Sequence, residues 1–274
     1  MSTVLITGAT GHLGATLSAR AVAAGWDVTG TYFSNPAPAA EPLDVRDREA
    51  VRDLLARLRP DVVIHTAAGR DDWRTMADGA AHVALAAAAV NARLVHVSTD
   101  AVFSGQQVHY DESALPDPIY RYGAAKAAAE TAVAAIDPRA ALIRTSMILG
   151  HGTGQHERLT HDLAAGRARG ALFTDMVRVP VHVDDLADAL LEVARTDYRG
   201  VLNVAGPDAI SRYDLGVLVA ARDGFDPAAL PSSTIAEAGL NLAKDVRLDC
   251  DRARALLTVR LRGVHEFLNE GVAN

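Results

Sequence analysis

Val4-Leu5-Ile6-Thr7-Gly8-Ala9-Thr10-Gly11-His12-Leu13-Gly14 is the stretch that decides the fold. Three apolar residues run without alternation, the pattern of a parallel strand buried on both faces. The run stops at Gly8. From Leu13 to Ala24 apolar residues recur around a helical period, up to a stop at Gly25. Between strand and helix stand glycines spaced GxxGxxG. Gly8 permits a tight turn, Gly11 lets backbone amides approach a pyrophosphate, and Gly14 lets the helix pack close to the sheet. The helix start offers free amides and a partial positive charge to phosphates. Thr10, His12 and Leu13 share this turn, so they join the three glycines as candidate cofactor contacts.

Working outward, the same alternation repeats. Asp27 to Thr31 predicts a strand and Asp47 to Leu58 a helix ended by Pro60. Val62-Val63-Ile64 predicts a strand, Ala77 to Ala89 a helix and Leu94 to Val97 a strand. Tyr122 to Ala135 follows as a helix, then Ala141 to Arg144 as a strand. Strands alternating with helices imply βαβ units. The expected class is α/β, a Rossmann-type doubly wound parallel sheet. Beyond Gly150 the alternation weakens. Asp184 to Arg195 and Ser211 to Ala221 read as helices, Val201 to Val204 as a strand, and Asp223 to Asp245 as loop-rich. No internal repeat or low-complexity linker separates the halves. The expected division is a nucleotide-binding body over 1–146, joined by about 177–205, with a smaller, interleaved substrate-binding lobe over 147–274.

Composition bounds the function. The chain has 274 residues, a formal charge of −7 and 49% hydrophobic residues, so disorder is not expected. A net acidic chain without a basic run does not look like a phosphate-backbone binder, so no nucleic-acid partner is expected. The single cysteine, Cys250, precludes an intramolecular disulfide and fits a reducing compartment. Met1 to Thr7 shows no charged start of a signal peptide, and the apolar run Val83 to Val90 is too short to span a bilayer. The expectation is a cytoplasmic protein without a membrane partner. Only two of the 27 basic residues are lysine, Lys126 and Lys244.

One of those lysines carries a motif. Tyr122-Gly123-Ala124-Ala125-Lys126 places tyrosine and lysine at i and i+4, on one helix face. Six tyrosines and two lysines in this length give about 0.04 such pairs by chance, too few to dismiss as coincidence. Hydride transfer to a carbonyl leaves charge on oxygen, and a positioned acid must supply a proton. Tyrosine titrates about three units above neutrality, a gap of about 4 kcal/mol. A nearby ammonium narrows that gap. Its flexible stem also suits ribose hydroxyls, where arginine brings a rigid fork. The end of the second strand, Thr31-Tyr32-Phe33-Ser34-Asn35, carries no acid to hold an adenosine 2′-hydroxyl. NADP (as NADPH) is therefore the preferred cofactor and NAD the second choice. No arginine stands there either, which leaves Ser34, Asn35 or His12 to meet a 2′-phosphate.

The glycine loop, the Tyr122/Lys126 pair and Ser98-Thr99-Asp100-Ala101-Val102-Phe103 together resemble the extended short-chain dehydrogenase/reductase family. The match is closest to its dTDP-4-dehydrorhamnose reductase-like branch of sugar-nucleotide reductases. Pro118 to Tyr122, Glu130, Leu142 to Ser146, Val179 to Ala187 and the R-L-D element in Asp245 to Asp249 extend the resemblance along nearly the whole chain. The resemblance implies a catalytic set of Thr99, Tyr122 and Lys126, with Thr99 rather than Ser98 orienting the substrate oxygen. It implies cofactor contacts from Asp44-Val45 after the third strand, from Ala67-Ala68 after the fourth, and from Tyr32 and Ser34. Ser146 and Met147 would face the substrate. Met147 departs from the tryptophan common in the branch, and Met76 from an asparagine. A thioether fills space but does not stack as an aromatic does, which leaves the sugar open.

The implied function is NADP-dependent reduction of a keto group on a nucleotide-linked sugar. Family members are often dimers, which suggests a homodimer by analogy. The rivals are a nucleotide-sugar epimerase or dehydratase using the same residues, and a non-catalytic NADP-binding regulatory subunit. No metal is expected: His151, His156 and His161 are spaced five apart, which does not align them on one helix face. His65 and His96, inside apolar strands, read as core histidines.

Overall fold

Unbroken apolar runs become the inner strands of one sheet. The computed structural model describes residues 2–38, 40–69 and 72–269, so the last residues of the expected second lobe, 270–274, lie outside them. The central strands are β1 (Thr3–Thr7), β2 (Asp27–Tyr32), β3 (Ala40–Pro42), β4 (Val62–His65), β5 (Arg93–Thr99), β6 (Ala141–Thr145) and β7 (Gly200–Asn203). All pair in parallel, in the order β7-β6-β5-β4-β1-β2-β3. The order reverses between β1 and β4. The carboxyl ends of the strands at such a reversal are the place where sheets of this type bind ligands.

Period-two alternation along each strand sorts the side chains to two helical layers. Val4, Ile6, Val62, Ile64, Val95 and Ile143 pack against α1 (His12–Ala23) and α6 (Val183–Ala194) through Leu17, Leu186 and Leu190. Leu5, Val63, Leu94 and Leu142 face α2 (Arg48–Leu58), α3 (Gly79–Ala89) and α4 (Arg121–Ile136) through Leu55, Val83 and Val133. Helix boundaries follow local chemistry. The Asp47 carboxylate caps α2 by accepting from the amides of Glu49 and Ala50, each at 3.0 Å. The same helix ends on Arg59 in the left-handed region, just before Pro60.

The remainder is built from α5 (Gln155–Ala164), α7 (Arg212–Arg222) and short strand pairs. Met147, Leu149, Ile210, Leu215, Val219, Val264 and Phe267 form its main core. Helix α5 lies in a stretch the sequence pattern left unassigned. The loop-rich segment before Asp245 holds a short strand, 232–233, that pairs in parallel with 172–173. Residues 246–248 pair with 108–110, which ties the R-L-D element to the chain just after Ser98–Phe103. Among the described residues no helix is long and apolar enough to cross a membrane.

Candidate active site

The glycines of the first turn are required by close approach. Gly8 has φ +72°, and a Cβ there would stand 2.9 Å from the Ala67 Cα. A Cβ on Gly14 would stand 2.1 Å from the Gly8 carbonyl oxygen. Gly11 is the N-cap of α1 and supplies no side-chain cap, and the first turn of the helix contains no acid. The amides are thus left to an incoming anion, as a phosphate site requires. The Ala9 amide donates to the Thr31 carbonyl at 2.8 Å and so ties the loop to the end of β2.

The other expected cofactor contacts divide by burial. Thr10 is half-buried on the loop. Leu13 is buried in the core, so only its backbone can serve a ligand. His12 is half-buried and its Nδ1 lies 3.3 Å from Thr153 Oγ1. Burial lowers its pKa, partly opposed by Glu157. Tyr32 is half-buried and Ser34 exposed at the carboxyl end of β2, while Ala67 and Ala68 follow β4. The Val45 side chain is a core group packed on Gly79, and its carbonyl is 3.0 Å from His82 Nδ1. Asp44 is forked by Arg46, whose Nε and Nη2 donate at 2.9 and 2.7 Å. That bond holds the Asp44 carboxyl below its ordinary pKa. Arg46, which no sequence motif marks, also lies over the Phe33 ring, a contact that only folding creates.

At the end of β5, adjacent residues serve opposite faces. Ser98 donates to Glu130 Oε1 at 2.5 Å, and Glu130 accepts from Arg144 Nε and Nη2 at 3.1 and 2.8 Å, all buried. The Ser98 hydroxyl is therefore committed to the helix-packed side. Thr99 Oγ1 instead accepts from the Ala101 amide and donates to Asp100 Oδ1, both at 3.2 Å. Asp100 Oδ2 accepts from Ser146 Oγ at 2.6 Å and stands 3.6 Å from Arg178 Nε. Burial raises the Asp100 pKa, with Arg178 the largest opposing influence. The Ser146 hydroxyl thus braces Asp100 beside Thr99. Met147 is buried in the core of the second lobe, so its side chain acts there as packing.

Helix α4 brings Tyr122 and Lys126 to the same place. A Cβ on Gly123 would stand 2.0 Å from the Ala101 carbonyl oxygen, so the first turn of α4 lies directly on the segment after Thr99. Tyr122 is half-buried. Lys126 is 4% exposed and its Nζ donates to the Val97 carbonyl at 2.6 Å. Burial brings its pKa down to about 8, opposed by Glu130 one turn on. His65 and His96, neighbours in register on β4 and β5, stack 5.2 Å apart on the same side. Burial, then the charge of Lys126, keeps both neutral, with His65 lowered to about 3. They are core residues, as their setting in apolar strands suggests.

The three spaced histidines do not converge. His151 Nε2 lies 2.9 Å from Asp184, and His161 Nε2 lies 2.6 Å from Asp223 while its ring stacks on Phe225. Among the described residues, His151, His182 and Asp184 do form a group with metal-ligand spacing. It includes two residues outside the original cluster. His182 Nδ1 already accepts from the Asp184 amide at 3.2 Å, and Arg262 Nη2 stands 3.1 Å from it.

A glycine turn that opens onto the uncapped start of α1 thus shares the sheet with a strand-end threonine and with the helix that carries a tyrosine and a buried lysine. Sequence comparison adds a match over residues 1–274 to the family described as RmlD substrate binding domain. The chain belongs to that family. A dTDP-4-dehydrorhamnose reductase of Mycobacterium tuberculosis is 35% identical over 241 residues, covering 82% of this chain and 76% of the relative. The methionine adenosyltransferase 2 subunit beta of Rattus norvegicus is 28% identical and covers 92% and 82%. A crystal structure of dTDP-4-dehydrorhamnose reductase from Bacillus anthracis, in complex with NADP, superposes with a TM-score of 0.85 over 99% of both chains. At 23% identity it shows a shared fold.

Proposed function

We propose that this protein is an NADP-dependent reductase of a keto group on a nucleotide-linked sugar. The observation that carries the reading is the buried Lys126 one helical turn from Tyr122, on a helix packed against the Thr99 segment. The glycine turn fits a dinucleotide, since the start of α1 has no side-chain cap and Gly8 and Gly14 leave no room for a Cβ. The 35% identical relative is a dTDP-4-dehydrorhamnose reductase, and the neighbour of known structure binds NADP, which support this reading. The sugar nucleotide would lie between the body over 1–146 with 177–205 and the lobe over 147–274.

Bound NADPH would supply the hydride. Gly8, Gly11 and Gly14 would hold the pyrophosphate through the start of α1. Tyr122 gives its phenolic proton to the carbonyl oxygen as charge develops there. Lys126 stabilises the phenolate that remains and reaches ribose hydroxyls with its other donors. Thr99 orients the carbonyl: its hydroxyl proton turns from Asp100 to the substrate oxygen, while the Ala101 amide holds Oγ1 in place. Asp100, braced by Ser146, positions that hydroxyl.

The test is cofactor stoichiometry across a panel of nucleotide 4-ketosugars. The reading expects one NADPH oxidised per sugar reduced. Sugar conversion without net NADPH loss would make the protein an epimerase. NADPH binding with no conversion, together with co-purification with a larger enzyme, would make it a regulatory subunit, in keeping with the 28% identical relative.

A further inference from the structure

The sequence left the 2′-phosphate of NADP without a cationic partner at the end of β2. The fold supplies one from elsewhere. Leu43 donates its amide to the Tyr32 carbonyl at 2.8 Å, so the chain leaving β3 runs beside the chain leaving β2. Arg46, two residues past Asp44, folds back over Phe33, with Cζ 4.8 Å from the ring centroid. Phe33 is 63% exposed, so this pair stands at the surface rather than in the core. The glycine loop is bonded to Thr31, one residue before Tyr32. A nucleotide with its pyrophosphate on that loop would bring its adenosine ribose to the end of β2, where Arg46 lies on Phe33.

The guanidinium is already organised. Nε and Nη2 fork the Asp44 carboxylate, and Nη1 donates to Asp72 Oδ2 at 3.1 Å. Asp72 does not depend on that bond. It also accepts from Thr75 Oγ1 at 2.7 Å and from the Arg74 amide at 3.0 Å. An open cleft of about 420 Å³ lies here, lined by Asp44, Arg46, Asp47 and Arg74. Asp47 is engaged in capping α2. The cleft therefore presents one arginine forked by Asp44 and, among the described residues, bonded through Nη1 to Asp72, with a second arginine alongside.

We propose that Arg46 is the residue that recognises the adenosine 2′-phosphate, and that Asp72 is the internal anion the phosphate displaces. The proposal rests on the cofactor reading above. A phosphate dianion matches a planar fork better than a single carboxylate oxygen does. Displacement exposes no unpaired buried charge, because Asp72 keeps two other donors. Asp44 keeps the fork aimed in both states. The pairing also explains how the site reads a phosphate with no basic residue at the end of β2 itself.

The experiment is calorimetric binding of 2′,5′-ADP and of 5′-AMP, which differ only in the 2′-phosphate. The proteins are wild type, Arg46→Ala, Arg46→Lys and Asp72→Asn. Wild type should prefer 2′,5′-ADP by about tenfold or more, the worth of one charge-assisted pair. Arg46→Ala should lose that preference while binding 5′-AMP within about twofold of wild type. Arg46→Lys should keep part of it, which separates charge from misfolding. Asp72→Asn should tighten 2′,5′-ADP severalfold and leave 5′-AMP unchanged. Full preference for 2′,5′-ADP in Arg46→Ala, or weaker 2′,5′-ADP binding in Asp72→Asn, overturns the assignment of Arg46. Wild type that prefers 5′-AMP, or binds neither nucleotide, overturns the cofactor reading itself.

Discussion

Replacing Lys126 by methionine is expected to stop turnover and yet leave the protein at least as stable near neutral pH. Burial brings the Lys126 pKa from 10.5 down to about 8. At about 1.36 kcal/mol per pH unit, the fold disfavours the ammonium relative to the amine by about 3 kcal/mol. The bond to the Val97 carbonyl, at 2.6 Å, is one contact of the charged form, and the penalty is what remains beside it. Burial therefore outweighs the bond, and methionine fills the volume without a charge. The pH dependence is the sharper readout. In the unfolded chain lysine keeps its proton up to about pH 10.5, whereas in the native protein it is released around pH 8. Between those values the unfolded chain binds more protons, so native stability rises with pH. Below pH 8 the full penalty is present. Wild type should therefore gain about 3 kcal/mol on Lys126→Met between pH 8 and 10.5, and titrations common to both proteins cancel in the difference. Urea unfolding near pH 7, 8.5 and 10 measures it. A difference that stays flat with pH would refute the argument, as would a variant less stable than wild type by more than about 2 kcal/mol at pH 7.

Further outcomes follow from the same geometry. Thr99→Val should cut kcat by about a hundredfold, as loss of one transition-state donor does, whereas Ser98→Ala should spare kcat; the reverse ranking would make Ser98 the catalytic hydroxyl. Gly14→Ala puts a methyl 2.1 Å from the Gly8 carbonyl oxygen, so dinucleotide binding measured by fluorescence should be lost. Glu130→Gln leaves the buried Arg144 guanidinium without its charge partner and should lower unfolding free energy by about 3–5 kcal/mol in urea melts.

The body of the fold was legible because its signals are local. Val4-Leu5-Ile6 reads as a buried strand, and Gly14 is forced by a contact within its own turn, with Gly8, although Gly8 itself is pressed by Ala67 just after β4. Asp47 and Pro60 bracket α2 by capping chemistry that needs no tertiary information. Strand β3 is implied before Asp44 by the family resemblance alone, because Ala40-Glu41-Pro42 carries little apolar signal and owes its pairing to β2. Tyr122 and Lys126 were legible as an i, i+4 pair. The bond from Ser98 to Glu130, which separates the roles of Ser98 and Thr99, joins a strand to a helix 32 residues on and appears only after folding. Arg46 was missed for the same reason. It looks like an ordinary charge in Asp44-Val45-Arg46-Asp47 until β2 and β3 pair and lay it on Phe33. Met147 shows the converse: the family position implies a substrate contact, and only the fold shows that the side chain packs in the core of the second lobe.

The most direct test of the central claim pairs wild type with Tyr122→Phe on a nucleotide 4-ketosugar that wild type reduces. The substitution removes one hydroxyl and keeps the ring. The account predicts that Tyr122→Phe binds NADPH with unchanged affinity and oxidises it at a rate indistinguishable from background. Turnover by Tyr122→Phe at the wild-type rate would contradict it.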